Sequence, residues 1–174
     1  MGPMTPKNDH DLLWQMIKDI RFAMLTHRHA DGSLHAHPMT TQNKSIEQDG
    51  QLYFFMSRTT EVGQRLRTDG NVNVAYADHS KDIYVSLSGQ AGISEDADLK
   101  QRLFHALDKA WFPGGWQDPN LELVVVRIGH AEYWNVKESK LTQLLKIATA
   151  AATHQRVEVG EHRDLDVTGS STPH

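Results

Sequence analysis

The chain has 174 residues, 18 Lys+Arg against 22 Asp+Glu and no cysteine, which fits one domain with a real core and excludes disulfides, thiolate-ligated metal centres and cysteine nucleophiles. The formal net charge of −4 gives no general attraction to nucleic acid or anionic lipid, so any phosphate must be gripped locally. The first residues lack the basic start and apolar run of a signal peptide, and no segment is long enough to span a bilayer, so a cytoplasmic protein with neither membrane nor nucleic-acid partners is expected.

Leu12, Leu13, Met16, Ile17 and Ile20 recur at helical spacing behind Asn8, Asp9 and Asp11, which suit a cap and a positive helix end. Phe22 to Thr26 reads as a short strand, Ala30-Asp31-Gly32 as a turn, and Leu34 to Thr41 as the returning arm of a hairpin. After Asp49-Gly50, the run Leu52-Tyr53-Phe54-Phe55-Met56 has the length and composition of a core strand. Val62 to Thr68 suits a short helix ended by Asp69-Gly70-Asn71, and Val72, Val74 and Tyr76 then alternate with small or polar residues, as in a strand with one buried face.

Tyr84 to Gly89 is a second alternating strand, extended or bent by Gln90 to Ile93, and its small hydroxyl side chains leave room for something to lie against that face. From Asp96, the residues Leu99, Leu103, Phe104, Leu107 and Trp111 mark one helix face, stopped by Pro113-Gly114-Gly115. Leu121 to Ile128 is almost continuously apolar, and Ala131 to Trp134 reads as its hairpin partner across Gly129-His130. Lys137 to Ala152 predicts a last helix, and residues 153–174 lack apolar periodicity and read as a loosely ordered tail. Six or seven strands joined by short turns predict a mainly β, antiparallel barrel with flanking helices, occupying residues 1–152 as a single domain. No Gly-x-Gly-x-x-Gly loop supports a doubly wound dinucleotide fold.

Three groups of residues carry possible chemistry. His35 and His37 share a strand face and His27 and His29 repeat the spacing, but without a His-Glu-x-x-His helix a surface or turn role is the expectation, and no metal site is assigned. Met56-Ser57-Arg58-Thr59-Thr60 places hydroxyls, amides and a guanidinium at a strand-to-helix junction, a good anion cradle that would otherwise be a capped turn. Lys109 to Trp116 packs aromatics beside glycines, able to cover a flat ring or fill an interface, although such residues more often close a core.

In order, the segments Ala36-His37-Pro38-Met39-Thr40, Leu52 to Arg58, Val72 to Tyr76, Tyr84 to Gly89, Ala110-Trp111-Phe112-Pro113-Gly114-Gly115 and Ala131 to Trp134 resemble the general-stress-protein branch of the pyridoxamine 5′-phosphate oxidase-like family. The resemblance implies a split β-barrel homodimer of the FMN-binding type, with two flavin sites at the subunit interface. It places His37, Pro38, Met39 and Thr40 beside the isoalloxazine ring, Met56, Ser57, Arg58 and Thr60 at the ribityl and phosphate end, and Tyr84, Trp111 and Phe112 near the ring or interface. A flat apolar ring with an anionic tail needs apolar walls at one end and hydroxyl, amide and guanidinium donors at the other, and the strand from Leu52 into Arg58 offers both.

The sequence departs from the oxidase itself, whose Ser-Arg-Lys phosphate grip aligns here with Thr60-Glu61-Val62. Glu61 would repel a phosphate unless it turned away or paired with Arg58. The grip then falls to Arg65, Arg67, Lys137 or Lys140, or FAD replaces FMN. True pyridoxamine 5′-phosphate oxidation is disfavoured. The resemblance therefore implies a general stress protein binding FMN or FAD, a flavin-dependent oxidoreductase of unknown small substrate. A non-catalytic flavin carrier or sensor acting through its dimer surface is the alternative, and haem use in related barrels, with a histidine axial ligand, is a further one.

Overall fold

The computed structural model describes residues 8–46, 50–136, 140–153 and 160–167, without the side chains of 140–145. Helix α1 (Asp9–Ile17) starts where expected: the Asn8 side chain accepts from the Asp11 amide at 2.8 Å, and Asp9 and Asp11 lie in the positive first turn. Its Leu13, Met16 and Ile17 are buried on one face. Seven strands follow: β1 (Ala23–Arg28), β2 (Leu34–Met39), β3 (Gln51–Ser57), β4 (Asn71–Asp78), β5 (Ile83–Ser94), β6 (Leu121–Asn135) and β7 (Glu161–Leu165). Every pairing is antiparallel, in the order β2-β1-β4-β5-β6-β3, with β7 added to β6.

The sheet curls until its two edges meet at a single bridge, Thr41 to Phe54. Just beyond, the Gln42 amide donates to the Tyr53 carbonyl at 2.8 Å. The Asn43 side chain accepts from the Tyr53 amide and donates to the Gln51 carbonyl, each at 2.8 Å, so it stands in for a missing strand residue. Leu25, Leu52, Phe54, Val74, Tyr76 and Val124 fill the inside of this split barrel, and the predicted alternation of Val72, Val74 and Tyr76 is the inner face of β4. The first half of β6 carries apolar residues on both faces because both are covered. On the outside, Leu121 and Leu123 join Phe55, Leu103 and Phe112 in a second cluster.

Three expectations are corrected. Gly129-His130 is not a hairpin turn: β6 runs straight through it, with Ser88 opposite His130 and Gly89 opposite Ile128, so Gly129 is the extra residue of a bulge that bends the strand around the barrel. Gly89 across from it must be glycine, since a Cβ there would lie 2.0 Å from the Arg127 carbonyl oxygen.

The helix from Asp96 does not reach Trp111. Helix α3 (Ala97–Leu103) ends at Phe104, whose ψ of 126° is extended. The His105 amide donates to the Asp108 carboxylate at 2.7 Å, starting a separate 3₁₀ turn over Ala106–Ala110. Leu107 and Trp111 are consequently 82% and 81% exposed.

Within the segment read as a loose tail, Glu161–Leu165 forms β7 along the side of β6 that faces away from β5, pairing with Ala131 to Asn135. Arg163 pairs with Asp9 at 2.5 Å, the Asp166 amide donates to Asp9 at 2.8 Å, and Leu165 and Val167 are buried. Helix α4 (Lys140–Thr153) matches the expected last helix over its described part; Lys137 lies outside the described residues. No helix among the described residues is long and apolar enough to cross a membrane.

Candidate functional site

The closure of the barrel makes the site. Away from the Thr41–Phe54 bridge, β2 and β3 have no strand partner on the sides that face each other, among the described residues. Beyond the bonds that Gln42, Asn43 and Thr60 make to β3, these facing edges carry backbone N–H and C=O groups that no neighbouring strand pairs and that a ligand can use. At the far end α2 (Glu61–Arg65), which follows directly on β3, reaches back to the β1–β2 hairpin: Arg65 Nε donates to the Arg28 carbonyl at 3.2 Å, and Glu61 Oε1 lies 2.9 Å from His29 Nε2 and 3.5 Å from His35 Nδ1. The two strand edges thus border a seam held at one end by a backbone bridge and at the other by side chains.

Two sequence-predicted groups lie on opposite walls of this seam. On β2, His37 and Met39 are half-buried and turn inward, while Pro38 and Thr40 are exposed. On β3 and its turn, Met56 is buried in the core opposite Glu122 and does not present its side chain to the seam. The Ser57 and Thr59 hydroxyls hydrogen-bond each other at 3.0 Å. Thr60 caps α2, its hydroxyl accepting from the Gly63 amide at 3.2 Å and donating to the Ser57 carbonyl at 2.8 Å.

The remaining three candidates are elsewhere in the chain. Tyr84 is on β5, opposite Trp134, and the order β1-β4-β5 separates it from the seam. Phe112 is buried in the outer cluster under Phe55, so its ring is committed to packing. Trp111 stays exposed on the turn that Gln42 Nε2 contacts through Asp108 at 3.4 Å, close to the closing bridge.

The cations are distributed otherwise than the sequence suggested. Arg58 Nε lies 3.4 Å from Glu122 Oε1, and Arg67 Nη2 makes a shorter bond to the same oxygen. Glu122 is 1% exposed, whereas Arg58 is about half exposed and also lines a hollow of about 270 Å³ with Lys100 and Trp116. Glu61 therefore does turn away from Arg58, toward histidines, and Arg67 is occupied by Glu122. Sequence reasoning missed Glu122; its signal was one carboxylate inside the apolar run of β6, opposite Met56 in the ladder.

The histidines also differ from expectation. His27 faces the barrel interior at 1% exposure, stacked on His37 with ring centroids 5.2 Å apart and paired across the ladder with His35. Burial, reinforced by His37 and His35 and only partly offset by the Arg28 backbone and the Glu61 carboxylate, holds its pKa below the ordinary histidine value. At the closing bridge, Tyr76 hydrogen-bonds the Thr41 hydroxyl from a fully buried position, and burial raises its pKa well above the ordinary tyrosine range. That phenol is a structural pin.

A family model for pyridoxamine 5′-phosphate oxidase-like proteins matches residues 8–158. The crystal structure of a general stress FMN/FAD binding protein from Xanthomonas citri is similar at 32% identity and TM-score 0.63, covering 75% of this chain and 90% of that one. General stress protein 26 from Bacillus anthracis shares the fold at TM-score 0.60 and 23% identity, over 68% of this chain and 88% of that one. Protein bli-3 of Neurospora crassa is 24% identical over 128 residues, 68% of this chain, and the chain spans 61% of that curated relative's length.

Proposed function

The chain belongs to the pyridoxamine 5′-phosphate oxidase-like family, and from that premise we propose that it is a cytoplasmic general stress protein that binds FMN or FAD along the β2–β3 seam, one of two equivalent sites in a homodimer. The observation that carries this reading is the juxtaposition of two unpaired strand edges, one bearing His37 to Thr40 and the other leading into Ser57, Arg58 and Thr60. Edge amides and carbonyls suit the polar rim of an isoalloxazine ring, and the turn hydroxyls with the half-exposed Arg58 guanidinium suit a phosphate.

Bound there, the flavin would supply electron transfer to or from a small substrate. The chain's own part is to hold and orient it: Met39 walls the ring, Pro38 withholds a donor from the β2 edge, and Thr60 fixes the turn that presents Ser57 and Arg58. Tyr84 and Trp111, exposed and outside the seam of their own chain, are suited to act from the partner subunit.

The test is titration of the purified full chain with FMN, FAD and riboflavin, read by quenching of flavin fluorescence. Saturable binding of FMN or FAD at one per chain, at least tenfold tighter than riboflavin, is the expected outcome, and Arg58→Ala should shrink that phosphate-dependent advantage. No saturable change with either nucleotide overturns the proposal. Reduction of the bound flavin by NADPH, followed by reoxidation with an acceptor, separates an oxidoreductase from a passive carrier.

A further inference from the structure

We propose that His27, His37 and Glu61 form a binding site for one divalent first-row transition-metal ion, of the zinc type, between β1, β2 and α2. The ligand atoms of these three residues all lie within 4.8 Å of one another. Bonds of about 2.0–2.1 Å to such an ion place neighbouring ligand atoms roughly 3.4 Å apart, a distance within reach of modest side-chain rotation. Two imidazoles and a carboxylate favour zinc, cobalt, nickel or ferrous iron over magnesium or calcium, which prefer all-oxygen sites.

What sets this apart from a plain histidine cluster is the state of its innermost member. Among the described residues, neither ring nitrogen of His27 has a well-formed hydrogen bond, a contact with the Arg28 backbone being all that approaches one, although the side chain is 1% exposed, and His37 Nε2 is likewise buried and unpartnered. A buried polar atom left unmatched costs about 1–3 kcal/mol, so two rings in this condition side by side call for something that accepts their lone pairs. A proton on each would set positive charges face to face; one shared cation satisfies both.

An outer layer is also present. His29 and His35 stack at 4.5 Å between ring centroids and both approach Oε1 of the Glu61 carboxylate. Partners of this kind orient a ligating carboxylate without binding the metal. His29 is accordingly a positioning residue.

The proposal does not depend on flavin binding. Full-length protein, both as purified and after removal of any flavin, is stripped with chelator and titrated with Zn²⁺ by calorimetry and with Co²⁺ by its visible ligand-field bands. One ion per chain is expected, unaffected by millimolar Mg²⁺. Glu61→Gln and His37→Ala, both at partly exposed positions and each checked for native far-UV circular dichroism, should each weaken Zn²⁺ at least tenfold and change the Co²⁺ spectrum. His29→Ala should weaken Zn²⁺ less, keep one-to-one stoichiometry and shift the Co²⁺ bands. His130→Ala, which removes the exposed group His130, Glu132 and Asp164, should change nothing. Absence of a stoichiometric site overturns the inference, as does wild-type affinity in both Glu61→Gln and His37→Ala or loss of binding in His130→Ala.

Discussion

Replacing Arg67 with alanine removes the closest charge partner of a carboxylate that is 1% exposed. What remains is Arg58 Nε, 3.4 Å from the same oxygen; at an effective dielectric of about 20 that separation corresponds to about 5 kcal/mol of bare attraction. More than half of Arg58 is exposed, and solvent screening brings its net worth down to about 1 kcal/mol. Leaving a buried charge short of its partner costs about 3–5 kcal/mol when nothing else compensates, so with Arg58 still present Arg67→Ala should cost about 3 kcal/mol. For a chain of this size that is a fall of roughly 6–12 °C in Tm. Arg58→Ala alone should cost only about 1 kcal/mol.

Urea unfolding followed by far-UV circular dichroism gives both values, and a second substitution checks the cause. If the penalty comes from the orphaned carboxylate, Glu122→Gln in the Arg67→Ala background removes the charge and recovers at least about 1 kcal/mol. A double variant no more stable than Arg67→Ala would refute the electrostatic account and leave lost packing of the arginine stem as the cause.

Gly89→Ala should destabilise the fold by about 3 kcal/mol or more, because its new methyl would meet the backbone of Arg127, while Gly92→Ala, where a Cβ meets nothing within 4 Å, should stay within about 0.5 kcal/mol; equal melting temperatures would contradict the bulge. Trp111→Ala should leave the melting of the isolated chain unchanged, since the ring is 81% exposed, yet weaken the self-association that the proposed homodimer requires, read by sedimentation equilibrium; an unaltered association constant removes Trp111 from the proposed interface. His130 should titrate above the ordinary 6.5 by NMR because its hydrogen bond to Glu132 favours the charged ring, and Glu132→Gln should bring it back down. Its contribution to stability is full below 6.5 and is lost as pH rises through the raised folded value. Glu132, lowered by the same contact and by His162, loses its share only as pH falls through its own depressed value.

Much of the barrel could be read from local pattern. Asn8 with Asp11 marks a helix start because a cap and its amide are three residues apart, and Val72, Val74 and Tyr76 mark an inner face because strands alternate. Gly129 is ambiguous: glycine serves a turn and a bulge equally well, and only the pairing of its neighbours with β5, His130 with Ser88 and Ile128 with Gly89, distinguishes them. Leu107 and Trp111 had the spacing of a helix face, but Asp108 bonding to the His105 amide ended that helix earlier. Glu161 to Leu165 carried no apolar alternation because that strand is almost wholly exposed and its position is fixed by backbone pairing, Asp9 and one buried leucine.

The candidate site shows the same division. Spacing put His35 and His37 on one strand face, yet nothing local announced that His27 would sit across the ladder or that α2 would bring Glu61 to them. Arg58 was legible as a cation after an aromatic strand. Its commitment to Glu122 depends on the β3–β6 register, which joins residues far apart in the chain.

The single long strand β6 changes neighbours along its length: residues 121–127 share it with β3, and residues 131–135 share it with β7, while β5 runs along its other side. Amide exchange should therefore divide one continuous strand into two protection classes at the bulge. Its first half would open only with the barrel, and its second half would have one row of amides released whenever β7 lifts, leaving the seam on the far side undisturbed.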